Sequence, residues 1–310
     1  MGRGTRTRAF GSSRREGHDA SSFYGQKLYA DTKRRESESQ TENKVPEAFL
    51  DHVLVMDARH MEGLPDRSVH LMVTSPPYNV GKDYDQNLGL DEYRKLLQDV
   101  FSETYRVLVD GGRACVNIAN VGRKPYIPYH RYIIEAMDQA GFLMRGEVIW
   151  DKGAGAGVST AWGSWCSPSN PTFRDVHEYI LVFSKGKFGR KVEGGTTSIT
   201  SEQFVAWTKS IWSFPPESAT RVGHPAPFPI ELPDRLIRLF TYEGEVVLDP
   251  FCGAGSTCVA AARAKRRYIG MDVEEGYVKI AESRLAGKNL ERAPPTSVRR
   301  RKKPASQRQS

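Results

Sequence analysis

The segment EVVLDPFCGAGSTCVAAARAKRRYIGMDV, beginning at Glu245, restricts the fold more than any other. An apolar run ends at Asp249. Gly253 and Gly255 then impose a tight turn, Ser256 and Thr257 open an Ala-rich helix, and a second apolar run ends at Asp272. Two buried strands joined through a helix must run parallel, because only a crossover connection brings the second back beside the first. A parallel sheet needs both faces covered, so the remaining sequence must supply more strands and more helices.

It does. HVLVMD and SVHLMVTS read as strands, and LDEYRKLLQDVFSETYRVL has apolar residues at three- and four-residue steps from Leu90 to Leu108. The DGG at 110–112 is expected to end that helix before the strand RACVNIA. YHRYIIEAMDQAGF reads as a helix, GEVIWDK and VHEYILVF as strands, PIELPDRLIRLFTY and EEGYVKIAESRLAG as helices. His177 and Glu178 are read as edge-strand or core positions of their strand, with a pair beside the ligand as the alternative, and Trp207 and Trp212 as core. The expectation is an α/β fold with a mostly parallel sheet and helices on both faces. Residues 1–45 read as a basic, mostly disordered arm from which Phe23, Tyr24, Leu28 and Tyr29 dock. Residues 46–288 form the folded domain, and 289–310 a basic disordered tail.

Net charge is +8, but it sits at the ends. Residues 1–45 carry +4 and residues 291–310 carry +6, with RRRKK at 299–303, leaving −2 between them. Such tails suit phosphate. No apolar run reaches the ~18 to 20 residues of a membrane helix. The four cysteines form no CxxC pair, so a cytoplasmic, reducing location without membrane association is expected. No His/Cys/Asp set has metal-ligand spacing, and no metal is expected.

The glycine turn has a chemistry. Glycines admit a ligand close to the backbone, and the following helix start offers unpaired N–H donors. An acid closing the next strand accepts ribose hydroxyls; here it is Asp272, 19 residues beyond Gly253. The third glycine of a dinucleotide fingerprint is missing, which points to a single nucleoside. GAGAG at 153–157 follows a strand but opens no helix. A second motif, VTSPPYNV from Val73, stops a core strand with two prolines and an aromatic. Proline has no N–H to donate and a fixed φ, so the tip is a rigid, acceptor-rich array.

Together TSPPY and DPFCGAGST resemble the motifs of DNA amino-methyltransferases that use S-adenosylmethionine, in the order of that family's beta group. The resemblance spans roughly residues 49–285. It implies a single Rossmann-like methyltransferase domain with a small target-recognition insert at about 185–223. It gives Ser75, Pro76, Pro77 and Tyr78 the catalytic role. The cofactor set is Asp57, Thr74, Asp249, Pro250, Phe251, Gly253, Gly255, Ser256, Thr257 and Asp272, with His224, Pro225 and Pro229 from HPAPFPIEL. Ser75 Oγ and the Pro76 carbonyl would accept the two N–H groups of a base's exocyclic amine, and Tyr78 would stack on the base. A base inside a duplex must be flipped out to reach such a tip.

No cysteine follows a proline, so cytosine C5 chemistry is not expected. Within the family, cytosine-N4 enzymes mostly carry SPPY and adenine-N6 enzymes mostly DPPY or NPPY; Ser75 therefore favours cytosine N4, with adenine N6 as the alternative. A non-catalytic nucleic-acid-binding relic and an RNA or protein methyltransferase are the readings of other classes. Duplex DNA is the expected partner, with Arg174, Lys185, Lys187, Arg190, Lys191, Lys209 and Arg221 as phosphate contacts, and Asn170 and Gln203 at base edges. A restriction endonuclease partner, and the choice between monomer and homodimer, stay open. If the tail adds non-specific affinity, removing residues 292–310 flattens the salt dependence of DNA binding in a titration series; an unchanged slope gives the tail no such role.

Overall fold

The computed structural model describes residues 25–32, 40–79, 88–122, 124–153, 163–190, 192, 194–217 and 228–287. The chain divides into two units, residues 1–37 and 38–310. The first shows one short helix, α1 (Lys27–Thr32), on which Leu28 is exposed. Phe23 and Tyr24 lie outside the described residues.

The second unit is built on an eight-stranded sheet. In chain order its elements are β1 (His52–Val55), β2 (Val69–Thr74), α2 (Leu90–Val107), β3 (Leu108–Ile118), α3 (Tyr129–Ala140), β4 (Leu143–Asp151), β5 (His177–Ser184), α4 (Ser201–Trp207), β6 (Ile211–Ser213), α5 (Glu231–Phe240), β7 (Val246–Asp249), α6 (Ser256–Arg263), β8 (Arg267–Asp272) and α7 (Glu275–Leu285). The strand order is β1-β8-β7-β2-β3-β5-β4-β6, and only β5 runs against the rest.

Alternation along β2 sorts the core. Met72 packs with Val100 and Phe101 of α2 and Ile133 and Met137 of α3. Leu71 and Val73 turn to the other face, against Leu236 and Ile237 of α5 and Ala260 of α6. Period-two side-chain placement thus gives a central strand two apolar faces. On the outer part of the sheet, Val278 and Ala281 of α7 pack with Val53 of β1.

β7 and β2 are neighbours in parallel register, Leu71 beside Val247 and Met72 beside Leu248. From β7 the chain winds outward to β8; from β2 it winds the other way to β3. The two loops leaving this pair therefore diverge, and a crevice opens between them at the carboxyl edge.

Three expectations change. DGG does not stop α2 before a later strand; β3 starts at Leu108 and runs through it. Gly111 makes this geometry accessible, with φ of 78° and a site where a Cβ would lie 2.6 Å from the Gly189 carbonyl oxygen. The folded body also begins before residue 46. The Gln40 N–H donates to Asp110 Oδ2 at 3.0 Å, the Asn43 N–H donates to the Arg67 carbonyl at 2.7 Å, and Val45 is buried. Part of the 185–223 segment belongs to the main sheet. Trp212 and Phe214 are buried while Ile211 and Ser213 are exposed, so β6 adds an edge strand. Arg235 of α5 lies over the rings of Trp207, Trp212 and Phe214.

Lys185 is not a DNA contact. It is buried, and its Nζ donates to the carbonyls of Leu108 at 2.7 Å and Arg106 at 3.1 Å, closing the end of α2. Burial pulls its pKa down to about 8. The unfolded chain therefore holds this proton more tightly than the native one between about pH 8 and 10.5. Stability rises across that window and is lost as pH falls through 8. The stability advantage of the native chain over Lys185→Met should grow by about 1–3 kcal/mol between pH 7.5 and pH 10, read from urea unfolding at each pH.

Candidate active site

The crevice encloses about 980 Å³ of empty space open to solvent. The loop after β2 forms one wall with Ser75, Pro76, Pro77, Tyr78 and Asn79. The loop after β7 brings Pro250, Phe251 and Gly253, and β8 ends in it at Asp272. The Met56 N–H donates to the Asp272 carbonyl at 2.9 Å, which carries Asp57 to the same rim.

The acidic groups are fixed by short local bonds. Asp272 Oδ2 accepts the Gly253 N–H at 2.8 Å, and its Oδ1 accepts the Glu274 N–H at 2.9 Å. Each oxygen keeps acceptor capacity for a diol. Burial raises the Asp272 pKa from the usual carboxylate value. Asp57 is clamped by the Arg59 guanidinium, Nη2 to Oδ2 at 2.5 Å and Nε to Oδ1 at 3.0 Å, which holds its pKa low. Gly253 and Gly255 have φ of 49° and 77°. A Cβ on Gly255 would lie 2.7 Å from Ala281 Cβ, so the turn lets α6 start tight against α7. This turn, the helix start behind it and the paired acids fit a nucleoside.

Five residues of the expected cofactor set stand behind the wall instead of in it, Gly255 being packed against Ala281. Thr74 Oγ1 donates to Asp249 Oδ1 at 2.6 Å, both side chains being buried. Thr257 Oγ1 donates to the Val73 carbonyl at 3.3 Å, and Ser256 Oγ donates to the Phe228 carbonyl at 3.0 Å. They tie the two loops together. Among the described residues Asp249 Oδ2 has no hydrogen-bond partner, and burial pushes its carboxyl up to about 6. Pro229 precedes α5 beside this strut and is not among the lining residues. His224 and Pro225 lie outside the described residues.

The phosphate candidates divide. Arg190 Nη2 pairs with Glu245 Oε2 at 2.5 Å, both side chains being nearly buried, so like Lys185 it serves the fold. Lys187 is half-buried, Arg174 and Lys209 are exposed, and Lys191 and Arg221 lie outside the described residues. Gln203 caps α4, accepting the Thr200 N–H at 3.0 Å, and the Asn170 N–H binds Ser164 Oγ within its own loop at 2.8 Å. Sequence reasoning offered Glu178 near the base only as its less favoured reading and missed the partners that hold it behind Tyr78. Glu178 accepts from Tyr78, Asn117 and Lys152. The signal was an acid opening an otherwise apolar strand, HEYILVFS. Among the described residues no group of three or more His, Cys, Asp or Glu is placed to hold a metal ion, and no helix is long and apolar enough to cross a membrane.

A nucleoside cleft beside a rigid acceptor tip, at the switch point of a mostly parallel sheet, defines a methyltransferase of the Rossmann-like fold. The family model N6_N4_Mtase, described as DNA methylase, matches residues 69–283. The chain is 34% identical over 278 residues to the Type II methyltransferase M.MjaI of Methanocaldococcus jannaschii, covering 75% of this chain and 90% of that protein. A DNA modification methylase of Thermus thermophilus, solved with S-adenosyl-L-methionine, superposes with a TM-score of 0.63 at 31% identity, over 77% of this chain and 94% of its own. The PvuII DNA methyltransferase (cytosine-N4-specific) shares the fold, with a TM-score of 0.61 at 20% identity, over 77% of this chain and 87% of its own. The chain belongs to the DNA methylase family and is a DNA amino-methyltransferase of its N4/N6 group.

The Thr74–Asp249 bond is a buried hydrogen bond to an acid. Thr74→Val should cost about 1–3 kcal/mol. Asp249→Leu removes the same acceptor, so adding Thr74→Val to it should cost little more. Denaturant unfolding of the two single variants and the double variant measures this; full additivity would remove the strut.

Proposed function

We propose that this protein transfers a methyl group from S-adenosylmethionine to the N4 amino group of a cytosine flipped out of duplex DNA. One observation carries the base choice: the acceptor tip lining the cleft is led by Ser75, the form found in most cytosine-N4 members of the family. The cofactor reading is supported by the Gly253–Asp272 cradle and by the Thermus relative solved with S-adenosylmethionine. The name Type II methyltransferase borne by M.MjaI supports a modification role beside a restriction endonuclease of the same specificity.

S-adenosylmethionine supplies an electrophilic methyl group on a sulfonium. In this reading Asp272 takes the ribose hydroxyls, Asp57 lies toward the adenine, and the Gly253–Gly255 turn admits the ligand close to the backbone. Ser75 Oγ and the Pro76 carbonyl accept the two N–H groups of the target amine. An aromatic amine is nearly flat because its lone pair is shared with the ring. Two fixed acceptors draw its protons out of that plane and release the lone pair. Fixed acceptors need no reorganisation during the reaction, so positioning and electrostatics supply the acceleration. Tyr78 gives the base a face to stack on, worth about 1–3 kcal/mol, against the few kcal/mol that flipping costs. Of the phosphate candidates, Arg174 and Lys209 are exposed and are offered here to backbone phosphates.

The test is product analysis. Mixed-sequence duplex DNA incubated with the protein and S-adenosylmethionine should yield N4-methylcytosine on nucleoside digestion; N6-methyladenine would overturn the base assignment and keep the chemistry. Ser75→Ala should bind S-adenosylmethionine as the native protein does while losing about 100-fold or more in methyl transfer. Loss of cofactor binding instead would reassign Ser75.

A further inference from the structure

Tyr78 is held from both ends. Its carbonyl accepts the Tyr129 hydroxyl of α3 at 2.8 Å. Its own hydroxyl donates to Glu178 Oε2 at 3.2 Å and accepts the Ala119 N–H at 3.3 Å. A phenol oxygen that donates one way and accepts the other has its ring azimuth defined as well as its place. A ring that served only as an apolar face would need neither bond.

Glu178 is itself over-determined. Its Oε1 accepts Lys152 Nζ at 2.8 Å, and its Oε2 also accepts Asn117 Nδ2 at 2.6 Å. The Lys152 and Glu178 side chains are 19% and 12% exposed. These residues come from four places in the chain: the end of β3, the exit of β4, the start of β5 and the loop after β2. All four meet at the carboxyl edge of the sheet, since Asp151 pairs with His177 and Ile118 with Tyr179. Three donors converge on one carboxylate. Its two oxygens satisfy all three; a carboxamide has one acceptor oxygen and would set its own N–H₂ against a donor.

We propose that Glu178, fixed by Lys152 and Asn117, is a positioning residue for methyl transfer, acting through the Tyr78 hydroxyl to hold the ring and the Ser75–Tyr78 tip in register with the target amine. Glu178 stands behind Tyr78 and is not among the residues lining the cleft; its contact with the tip runs through that hydroxyl, which also meets the Ser75 side chain. A shift of the ring displaces Ser75 and Pro76, three and two residues before it on the same rigid tip, and transfer rates respond steeply to such misplacement. The inference rests on amino-group transfer at this tip and is independent of which base receives the methyl.

The test is a double-mutant cycle on Tyr78→Phe and Glu178→Gln, scored as total methyl incorporation into mixed-sequence duplex DNA whichever base carries it. Single-turnover rates, KM for DNA and the dissociation constant for S-adenosylmethionine are measured for each protein. Each single variant should lose about tenfold or more in rate, with cofactor binding and KM for DNA within about threefold of native. The double variant should be no slower than the slower single, because both changes break one path. Native-like rates in Tyr78→Phe would overturn the proposal, as would equal rate losses from Glu178→Gln with and without the hydroxyl. If Glu178→Gln does not fold, as read by its thermal unfolding, Tyr78→Phe decides alone, because it leaves the Lys152 and Asn117 bonds to Glu178 in place. Cytosine or adenine as the product leaves the cycle equally readable.

Discussion

The active site depends on a buried side-chain contact between two halves of the chain. Thr74 ends the strand that carries the acceptor tip, and Asp249 ends the strand that carries the glycine turn. Their side chains meet at 2.6 Å. The sheet puts β2 and β7 side by side, but hydrogen bonds between parallel strands stop where the strands stop. Beyond that edge two loops must hold a common geometry with no ladder between them. Thr74 bonds the last residue of β7, Thr257 at the start of α6 bonds the Val73 carbonyl of β2, and Ser256 bonds the approach to α5, so side chains brace the roots of both loops. A buried carboxylate is costly unless its acceptors are used, which makes Asp249 an anchor whose cost is offset only while the loops stay together.

The walls built on this strut differ in kind. The nucleoside side is lined by charge held locally: Asp57 by Arg59, and Asp272 by two backbone amides. The target side is lined by rigidity, with two prolines and an aromatic pinned at its carbonyl and its hydroxyl. In the proposed function the first wall would meet the methyl donor with acceptors and charge, and the second would meet a neutral amine with acceptors that cannot move.

Much of this was legible in the sequence, and for physical reasons. Strand, glycine turn, helix and acid from Val246 to Asp272 form a local pattern, and the chain must execute it locally. Ser75–Tyr78 was legible because proline carries its conformation with it. Long-range partnerships were less so. Lys185 and Arg190 look like any surface cations in a polar stretch, yet one closes a helix end and the other pairs with Glu245. Charge in a sequence does not reveal whether a carbonyl or carboxylate from elsewhere will arrive to bind it. Glu178 was weighed with His177 as a pair near the base and set second for the same reason, its three donors being 26 to 100 residues away. β6 is three residues long, too short for its alternation to stand out, and DGG reads as a stop until Gly111 is seen to let a strand begin almost at the end of α2.

The neighbouring positions of β2 and β7 also govern how the molecule comes into being. The catalytic strand is made early, but its partner on one side is separated from it by 175 positions at the Thr74–Asp249 contact. As the chain leaves the ribosome, β3 becomes available to β2 long before β7, so the β7 side of β2 has no native partner until β7 has been synthesised. Such an edge is a template for wrong pairing, and contacts of this span are slow to close. The order of elements that separates the acceptor tip from the nucleoside turn therefore delays competence: the enzyme cannot bind its methyl donor in a finished site until nearly all of its folded body has been made.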